Sequence, residues 1–259
     1  MNAAQWTIRT LCLTAVAVLA LGVPAAADWV EEDGHKMHFP QFPDPNGWDV
    51  NVVSDIIHDD FRCSATGPID DIHLWVSWRG DLSSPISWVD MAFLPDVPAD
   101  ESATGFSHPG EMMYGDPLWM RRFYPGEWTE VPAGTGDQGW YTPSTSVVNP
   151  SDHIEYYQLN FEDISEPFTQ TKDTIYWLAV HMGPEDPNTA VGWKTTQNPW
   201  NDTAAWYPSS VTGWQELKIP GTGELLDMAF VITPEPATLA LMGLGLAGLA
   251  AARRRRHHK

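Results

Sequence analysis

The middle of the chain alternates between apolar and polar residues over short stretches. In residues 70–78, the clearest example, every second side chain from Ile72 to Trp78 is apolar, and those between are mostly polar. A period of two residues is that of a β-strand, whose successive side chains point to opposite faces. Similar stretches recur and predict about ten short strands. The other candidates are residues 87–94, 119–124, 154–161, 174–182, 192–195, 215–219 and 226–232.

Turn-forming residues separate the predicted strands. The chain contains 22 prolines and 20 glycines, and no stretch of residues 28–233 keeps a helical period over three turns. The pattern predicts an all-β fold, an antiparallel β-sandwich of jelly-roll-like topology, formed by one domain over residues 28–233. Residues 28–49, rich in Pro, Asp and His, predict an irregular arm at its start.

A tetrapeptide that occurs twice links two of the predicted strands. Asp-Met-Ala-Phe spans residues 90–93 and again residues 227–230. In both copies the alternation turns Met and Phe to one face and Asp to the other. The two copies therefore predict equivalent places in the core.

Outside the alternating region, the C-terminus carries a long apolar run. A helix over residues 237–252 would be about 24 Å long, close to the roughly 30 Å of a bilayer core. Arginines after such a helix favour the cytoplasmic side, so the pattern predicts a membrane helix with the preceding chain outside. The residues that flank the run are Pro234, Glu235 and Pro236 before it and Arg253, Arg254, Arg255 and Arg256 after it.

The triplet, the apolar run and the arginine cluster, in this order at the C-terminus, resemble a PEP-CTERM sorting signal over residues 234–259. The resemblance implies recognition by an exosortase, a membrane protease, and cleavage near the triplet. It also implies delivery to the cell surface or exopolysaccharide matrix, with transient anchoring in the inner membrane. Thr233 stands where that family commonly has Val. An ordinary C-terminal membrane anchor is the alternative.

The N-terminus has the pattern of a signal peptide over residues 1–27. Arg9 supplies the positive charge, residues 11–23 the apolar segment, and Ala25 to Ala27 the small-residue cleavage site. This predicts export by the Sec machinery and a mature chain that begins near Asp28.

Charge and cysteine content narrow the possible partners. The chain has 34 acidic and 14 basic residues, and because six of the basic residues lie in the terminal segments, the exported part carries a charge of about −26. Such a charge repels nucleic acid. Residues 44–49 place oxygen ligands at alternate positions, as calcium loops do, but a turn explains them as well, and the sequence predicts no metal site and no cofactor. Cys63 is the remaining thiol once Cys12 leaves with the signal peptide.

The block from residue 59 to residue 78 carries a second resemblance. It reads D-D-F-x-C at residues 59–63 and I-x-x-I-H-x-W at residues 69–75. This block resembles an uncharacterised secreted bacterial domain, and the resemblance covers most of residues 50–232. Since that family has no assigned activity, the resemblance implies one domain without implying a mechanism.

Candidate chemistry is sparse, and aromatic residues are in excess. The sequence lacks the G-x-S-x-G, H-E-x-x-H and P-loop motifs, so we expect a non-catalytic surface or matrix protein. An extracellular carbohydrate-binding module is the alternative, because exposed tryptophans stack on sugar rings. An extracellular hydrolase, the third reading, requires a pocket with two carboxylates, or Cys63 with a histidine. The candidate stacking residues are Trp119, Trp128, Trp140, Trp200, Trp206 and Trp214.

Overall fold

The computed structural model describes residue 37 and residues 39–233. The predicted signal peptide, with Ala25 and Ala27, lies outside the described residues. So does the predicted sorting signal, with its triplet Pro234 to Pro236, its helix over residues 237–252 and its arginine cluster. Within the described part of the chain, no helix has the length and apolarity needed to cross a bilayer.

The described residues form fifteen β-strands and two single 3-10 turns, at Arg79–Asp81 and Pro143–Thr145. The strands are β1 (Trp48–Asn51), β2 (Ile57–Arg62), β3 (Gly67–Ile69), β4 (Asp71–Trp78), β5 (Ile86–Val97), β6 (His108–Pro109), β7 (Trp119–Phe123), β8 (Thr129–Thr142), β9 (Val147–Phe161), β10 (Phe168–Gln170), β11 (Ile175–Pro184), β12 (Val191–Lys194), β13 (Ala205–Trp206), β14 (Gln215–Glu216) and β15 (Phe230–Thr233). Trp48 and Asp49, the last residues of the predicted irregular arm, belong to β1, where they lie opposite residues of β8 and β12.

The strands assemble into two main sheets and one small one. The first sheet has the order β12-β1-β8-β9-β4-β15, and β12 also pairs with β4, so this sheet curls. The second has the order β14-β13-β2-β11-β5-β6, with β7 also on β5, and β3 pairs with β10 separately. The predicted all-β class and its two-sheet layout are confirmed. One pairing departs from the predicted antiparallel arrangement, since β1 and β8 run parallel, and the jelly-roll topology stays a prediction.

The main hydrophobic core lies between the two sheets. On β4 the apolar set that begins at Ile72 is buried there, as the alternation predicts, together with Phe61 of β2 and Leu178 of β11. Met91 and Phe93 of the first tetrapeptide and Met228 and Phe230 of the second also lie in this core. The Met and Phe side chains of both copies are therefore in the core, as the alternation predicts. The equivalence of the two places stays a prediction, because the first copy lies in β5 of the second sheet and the second copy reaches β15 of the first.

The other face of the curled sheet is buried as well, although its residues are largely polar. Asp49, Gln138 and Lys194 are 0% exposed there. On β4, all four residues that alternate with the core set are buried too. Alternation alone predicts a solvent-exposed polar face, but the curl encloses this face and the side chains bond to one another.

A close approach of the arm to β8 generates a first prediction. A Cβ atom added to Gly136 would overlap the backbone carbonyl of Pro45, whereas one added to Gly67 in β3 meets nothing within 4 Å. We expect Gly136→Ala to lower the free energy of unfolding by about 2–3 kcal/mol, because backbone atoms would have to shift. Gly67→Ala should change it by less than about 0.5 kcal/mol. Urea denaturation of the full chain measures both, and equal effects would contradict the packing of the arm on β8.

Candidate functional site

A cleft of about 440 Å³ lies on the outer face of the second sheet, beside β2 and β13. β2 turns Ile57 and Phe61 toward the main core, so His58 and Asp60 lie on the outer face. Four aromatic side chains contribute to the lining of the cleft, namely Tyr114, Trp206, Tyr207 and Trp214, and His58 lines it with them.

Trp214 forms a firmly held wall of the cleft. Its ring packs edge-on against His58 at 4.9 Å between centroids and against Tyr207 at 5.2 Å. His108 stacks on it at 5.6 Å with an interplanar angle of 16°. Trp214 is consequently 8% exposed, while Trp206 and Tyr207 remain half-buried beside it. The cleft thus combines one fixed ring with two that keep accessible surface.

His58 offers the cleft a hydrogen-bond acceptor. Its Nδ1 lies 3.2 Å from the carbonyl oxygen of Ala205, and since a carbonyl only accepts, Nδ1 carries the proton and Nε2 has a lone pair. Nε2 is buried and has no hydrogen-bond partner among the described residues. Burial lowers the pKa of His58 to about 3, against a small opposing effect of the Ala205 hydrogen bond. The imidazole is therefore neutral near pH 7, and its Nε2 is an unsatisfied acceptor beside the cleft.

An ion pair positions Tyr114 at the rim of the cleft. The Tyr114 hydroxyl donates to Asp90 Oδ2 at 2.5 Å, and Arg122 donates to both oxygens of Asp90 at 2.7 Å. Burial raises the pKa of Asp90, but the bonds from Arg122 and Tyr114 outweigh it and the net pKa is lowered. Asp90 is therefore a charged anchor, and it orients the exposed Tyr114 ring.

Asp55 also lines the cleft, and its carboxylate is already hydrogen-bonded. Its Oδ2 accepts hydrogen bonds from the Ser54 hydroxyl at 3.1 Å and from the Ser144 hydroxyl at 2.9 Å. Among the described residues that line the cleft, Asp55 is the one carboxylate. A pair of carboxylates at the spacing used by glycoside hydrolases is thus not part of this lining.

The structure brings two of the six predicted stacking residues, Trp206 and Trp214, together in the cleft. Trp140 is 0% exposed and offers no face to a ligand. Trp119 and Trp128 pack, like Trp206, against the main core, but neither of them lines the cleft. Trp200 stacks on Phe39 at 6.0 Å.

Three contributors to the cleft carry no local sequence signal for it. Tyr207 and Tyr114 come from loops far apart in sequence, and His58 comes from a strand. Each residue type is common in both cores and surfaces. The aromatic excess around residues 200–214 is the one sequence feature that points to this region.

Neither the loop considered for calcium nor the cysteine lines the cleft. Within the described residues, no group of three His, Cys, Asp or Glu side chains is arranged to hold a metal ion. In the loop considered for calcium, Asp44 Oδ1 instead accepts a hydrogen bond from the backbone of Asn46 at 3.0 Å. Cys63 is 0% exposed.

Behind His58 lies a cluster of three buried carboxylates. Asp59 accepts from the backbone of Met228 at 2.6 Å, and Asp60 accepts from the Asn201 amide at 2.5 Å. Asp60 Oδ1 has no partner among the described residues. Burial, with added repulsion from Asp227, raises the pKa of Asp59 and Asp60 well above the usual range. Burial also raises the pKa of Asp227 to about 7.

Two matches emerge from comparison with known proteins. Residues 37–233 match a family described as "Domain of unknown function (DUF7901)", and residues 233–256 match the PEP-CTERM protein-sorting motif. Both resemblances seen in the sequence are thereby confirmed. No curated protein and no solved structure matches the chain.

The carboxylate cluster generates a prediction of pH dependence. Because the folded-state pKa values of the three carboxyl groups are raised, that of Asp227 to about 7, the folded protein holds more protons than the unfolded chain above about pH 4. The contribution of the cluster to stability is thus full below about pH 4 and falls as the pH rises above it. We expect Asp60→Asn to reduce the loss in unfolding free energy between pH 5 and pH 8 by about 1 kcal/mol or more.

Urea denaturation at both pH values measures this effect. In Asp60→Asn the remaining carbonyl oxygen still accepts from Asn201, so the variant removes the charge with little change of shape. Asp116→Asn, at an exposed carboxylate, is the matched control and should leave the pH profile as it is. An Asp60→Asn profile parallel to that of the natural sequence would show that Asp60 does not take up a proton on folding.

Proposed function

Given that this chain belongs to the DUF7901 family and ends in a PEP-CTERM sorting motif, we propose that it is a non-catalytic protein of the cell surface or exopolysaccharide matrix whose aromatic cleft binds a saccharide. The motif implies export, processing by an exosortase and sorting to the cell surface. The family itself has no assigned activity, so the proposal for binding rests on the cleft.

The main support for saccharide binding is that one cleft combines aromatic ring faces with an unsatisfied hydrogen-bond acceptor. Sugar rings present apolar C–H faces that stack on aromatic side chains, and hydroxyl groups that hydrogen-bond around their edges. Trp206 and Tyr207 supply accessible rings, and the buried Nε2 of His58 supplies an acceptor for a hydroxyl. A saccharide satisfies both requirements at once.

The electrostatics of the cleft favour a neutral saccharide. His58 is uncharged near pH 7, and Asp55 brings a negative charge to the lining. The chain as a whole has a formal net charge of −20. An anionic polymer, nucleic acid included, would be repelled by this surface.

Two observations support a binding role over hydrolysis. The cleft lining described above contains a single carboxylate, whereas acid–base hydrolysis of a glycosidic bond uses two. Cys63, the other conceivable nucleophile, is buried outside the cleft. The aromatic and polar side chains that line the cleft are suited to binding and orienting a saccharide, which is what a non-catalytic module requires.

Processing of the tail is a first prediction of this proposal. Protein recovered from the surface of its native host should end near Pro234 to Pro236, because exosortase cleavage removes the apolar run and the arginines. Mass spectrometry of the C-terminal peptide measures the end point. Recovery of surface protein that still carries Arg253 to Lys259 would overturn exosortase processing.

Saccharide binding is a second prediction. The full chain should bind a subset of neutral polysaccharides in a glycan array and pull-down, performed with and without calcium. Trp206→Ala should weaken that binding about tenfold or more, because a stacking ring is lost. His58→Asn should also weaken it, because the asparagine amide can still donate to the Ala205 carbonyl while the Nε2 acceptor disappears.

Tyr124→Ala is the matched control, since Tyr124 is an aromatic residue, 56% exposed, outside the cleft. Circular dichroism checks that each variant is folded. Binding that persists in folded Trp206→Ala would place the saccharide elsewhere. If no saccharide on the array binds with or without calcium, the proposal of carbohydrate binding is wrong, and the protein remains a surface protein of another kind.

A further inference from the structure

The enclosed polar face of the curled sheet holds four side chains that we call the buried lysine cluster: Asp49, Gln138, His153 and Lys194. Lys194 Nζ lies 3.3 Å from Asp49 Oδ2, and His153 Nε2 lies 3.0 Å from the same oxygen. Lys194 also donates to Gln138 Oε1. Three of the four are 0% exposed and His153 is 2% exposed, so the cluster is shut off from water.

Strand register brings the amine and the carboxyl group together. Asp49 of β1 and Lys194 of β12 are directly opposite each other in an antiparallel pair, although 145 positions separate them in sequence. Opposite Cβ atoms in such a pair are about 5 Å apart, so the two side chains meet whenever the strands pair. The separation of 3.3 Å joins Nζ to Oδ2, so the amine lies next to the carboxyl group whose carbon it would attack.

The surroundings disfavour a lasting ion pair. Removing two charges from water costs several kcal/mol for each, unless every lone pair and proton finds a partner. Asp49 Oδ1 has no hydrogen-bond partner among the described residues. The Tyr156 ring, whose centroid lies 5.1 Å from Nζ, attracts the ammonium but gives the Asp49 carboxylate no partner. An amide in place of the pair would remove both charges.

We propose that Lys194 and Asp49 condense to an intramolecular isopeptide bond that links β12 to β1. This is a modification site, independent of the proposed saccharide cleft. The bond joins Lys194 Nζ to Asp49 Cγ, and Asp49 Oδ2 leaves as water.

The step balances without an oxidant or another co-reactant. One proton first passes from the ammonium to Asp49, which gives a neutral amine and a carboxylic acid. As the Nζ–Cγ bond forms and the Cγ–Oδ2 bond breaks, the leaving oxygen takes a second proton from His153, and His153 recovers one from Nζ. The ammonium and carboxylate thus become one amide and one water, and His153 ends as it began.

His153 is placed for this proton transfer. Its Nε2 faces the leaving oxygen at 3.0 Å, and its Nδ1 faces Asp152 at 3.3 Å. Burial lowers the pKa of His153, but the hydrogen bond and charge of Asp49 and the bond to Asp152 outweigh it, so the net pKa is raised. Gln138 holds the amine, because its own amide is fixed by Ser77 and by the carbonyl of Ile154.

Exported proteins are commonly cross-linked by disulfide bonds, and the predicted mature chain has too few cysteines to form one internally. Cys63 is the single cysteine after residue 27, so an internal disulfide is not available to the predicted mature chain. An amide between β1 and β12 closes the curled sheet covalently, next to the pairing of β12 with β4.

Mass spectrometry tests the proposal on the full chain. The purified, denatured protein should be lighter, by the mass of one water molecule, than the sequence between its own measured N- and C-terminal residues. A proteolytic digest should contain a branched peptide that joins the Asp49 and Lys194 segments. Lys194→Met should remove the branched peptide and restore the encoded mass.

Lys218→Met is the matched control, because Lys218 forms an exposed ion pair with Glu216 at 3.4 Å, and its one-water deficit should persist. His153→Gln should lower the linked fraction, since a purely structural histidine would leave it unchanged. Natural-sequence protein at its full encoded mass would overturn the proposal, even if a variant fails to fold. A deficit of one ammonia would overturn it too, because that places the bond on Gln138.

Discussion

The architecture depends on the double pairing of β12, which bonds to β1 along one edge and to β4 along the other. This pairing curls the first sheet and satisfies backbone groups that an open edge would expose. It also encloses a sheet face made of polar residues. Enclosed polar groups are stable only with partners, so Asp49, Gln138, His153 and Lys194 bond to one another. The curl therefore creates a polar interior beside the apolar core.

The second sheet uses its outer face differently. Ala179 lies opposite Ala92 in the neighbouring strand β5, and these two small side chains leave room for Trp214 and Met113 to pack above the sheet. The loops that carry those residues cover the sheet incompletely, and the cleft is the space that remains. The apolar core separates this cleft from the buried lysine cluster, so the proposed saccharide binding and the proposed cross-link are independent.

Part of the candidate site follows from sequence and part does not. Trp206 and Trp214 stand out as tryptophans in a Pro- and Gly-rich segment, and both line the cleft. The same criterion selects Trp140, which the structure buries completely. Composition identifies residues able to stack, but exposure depends on which loop covers which sheet face. His58 shows the same limit, because its free acceptor exists only through the bond of Nδ1 to Ala205.

The sequence by itself determined the features that depend on residues close together along the chain. Alternation with a period of two fixed the all-β class and the core positions of the repeated tetrapeptide, and the contiguous tail identified the sorting motif. The tertiary structure alone decided the curl, the cleft and the meeting of Lys194 with Asp49. These features join residues that are far apart along the chain. Their physical cause is strand register together with the burial of a second sheet face. Neither produces a recognisable pattern within a short stretch of sequence.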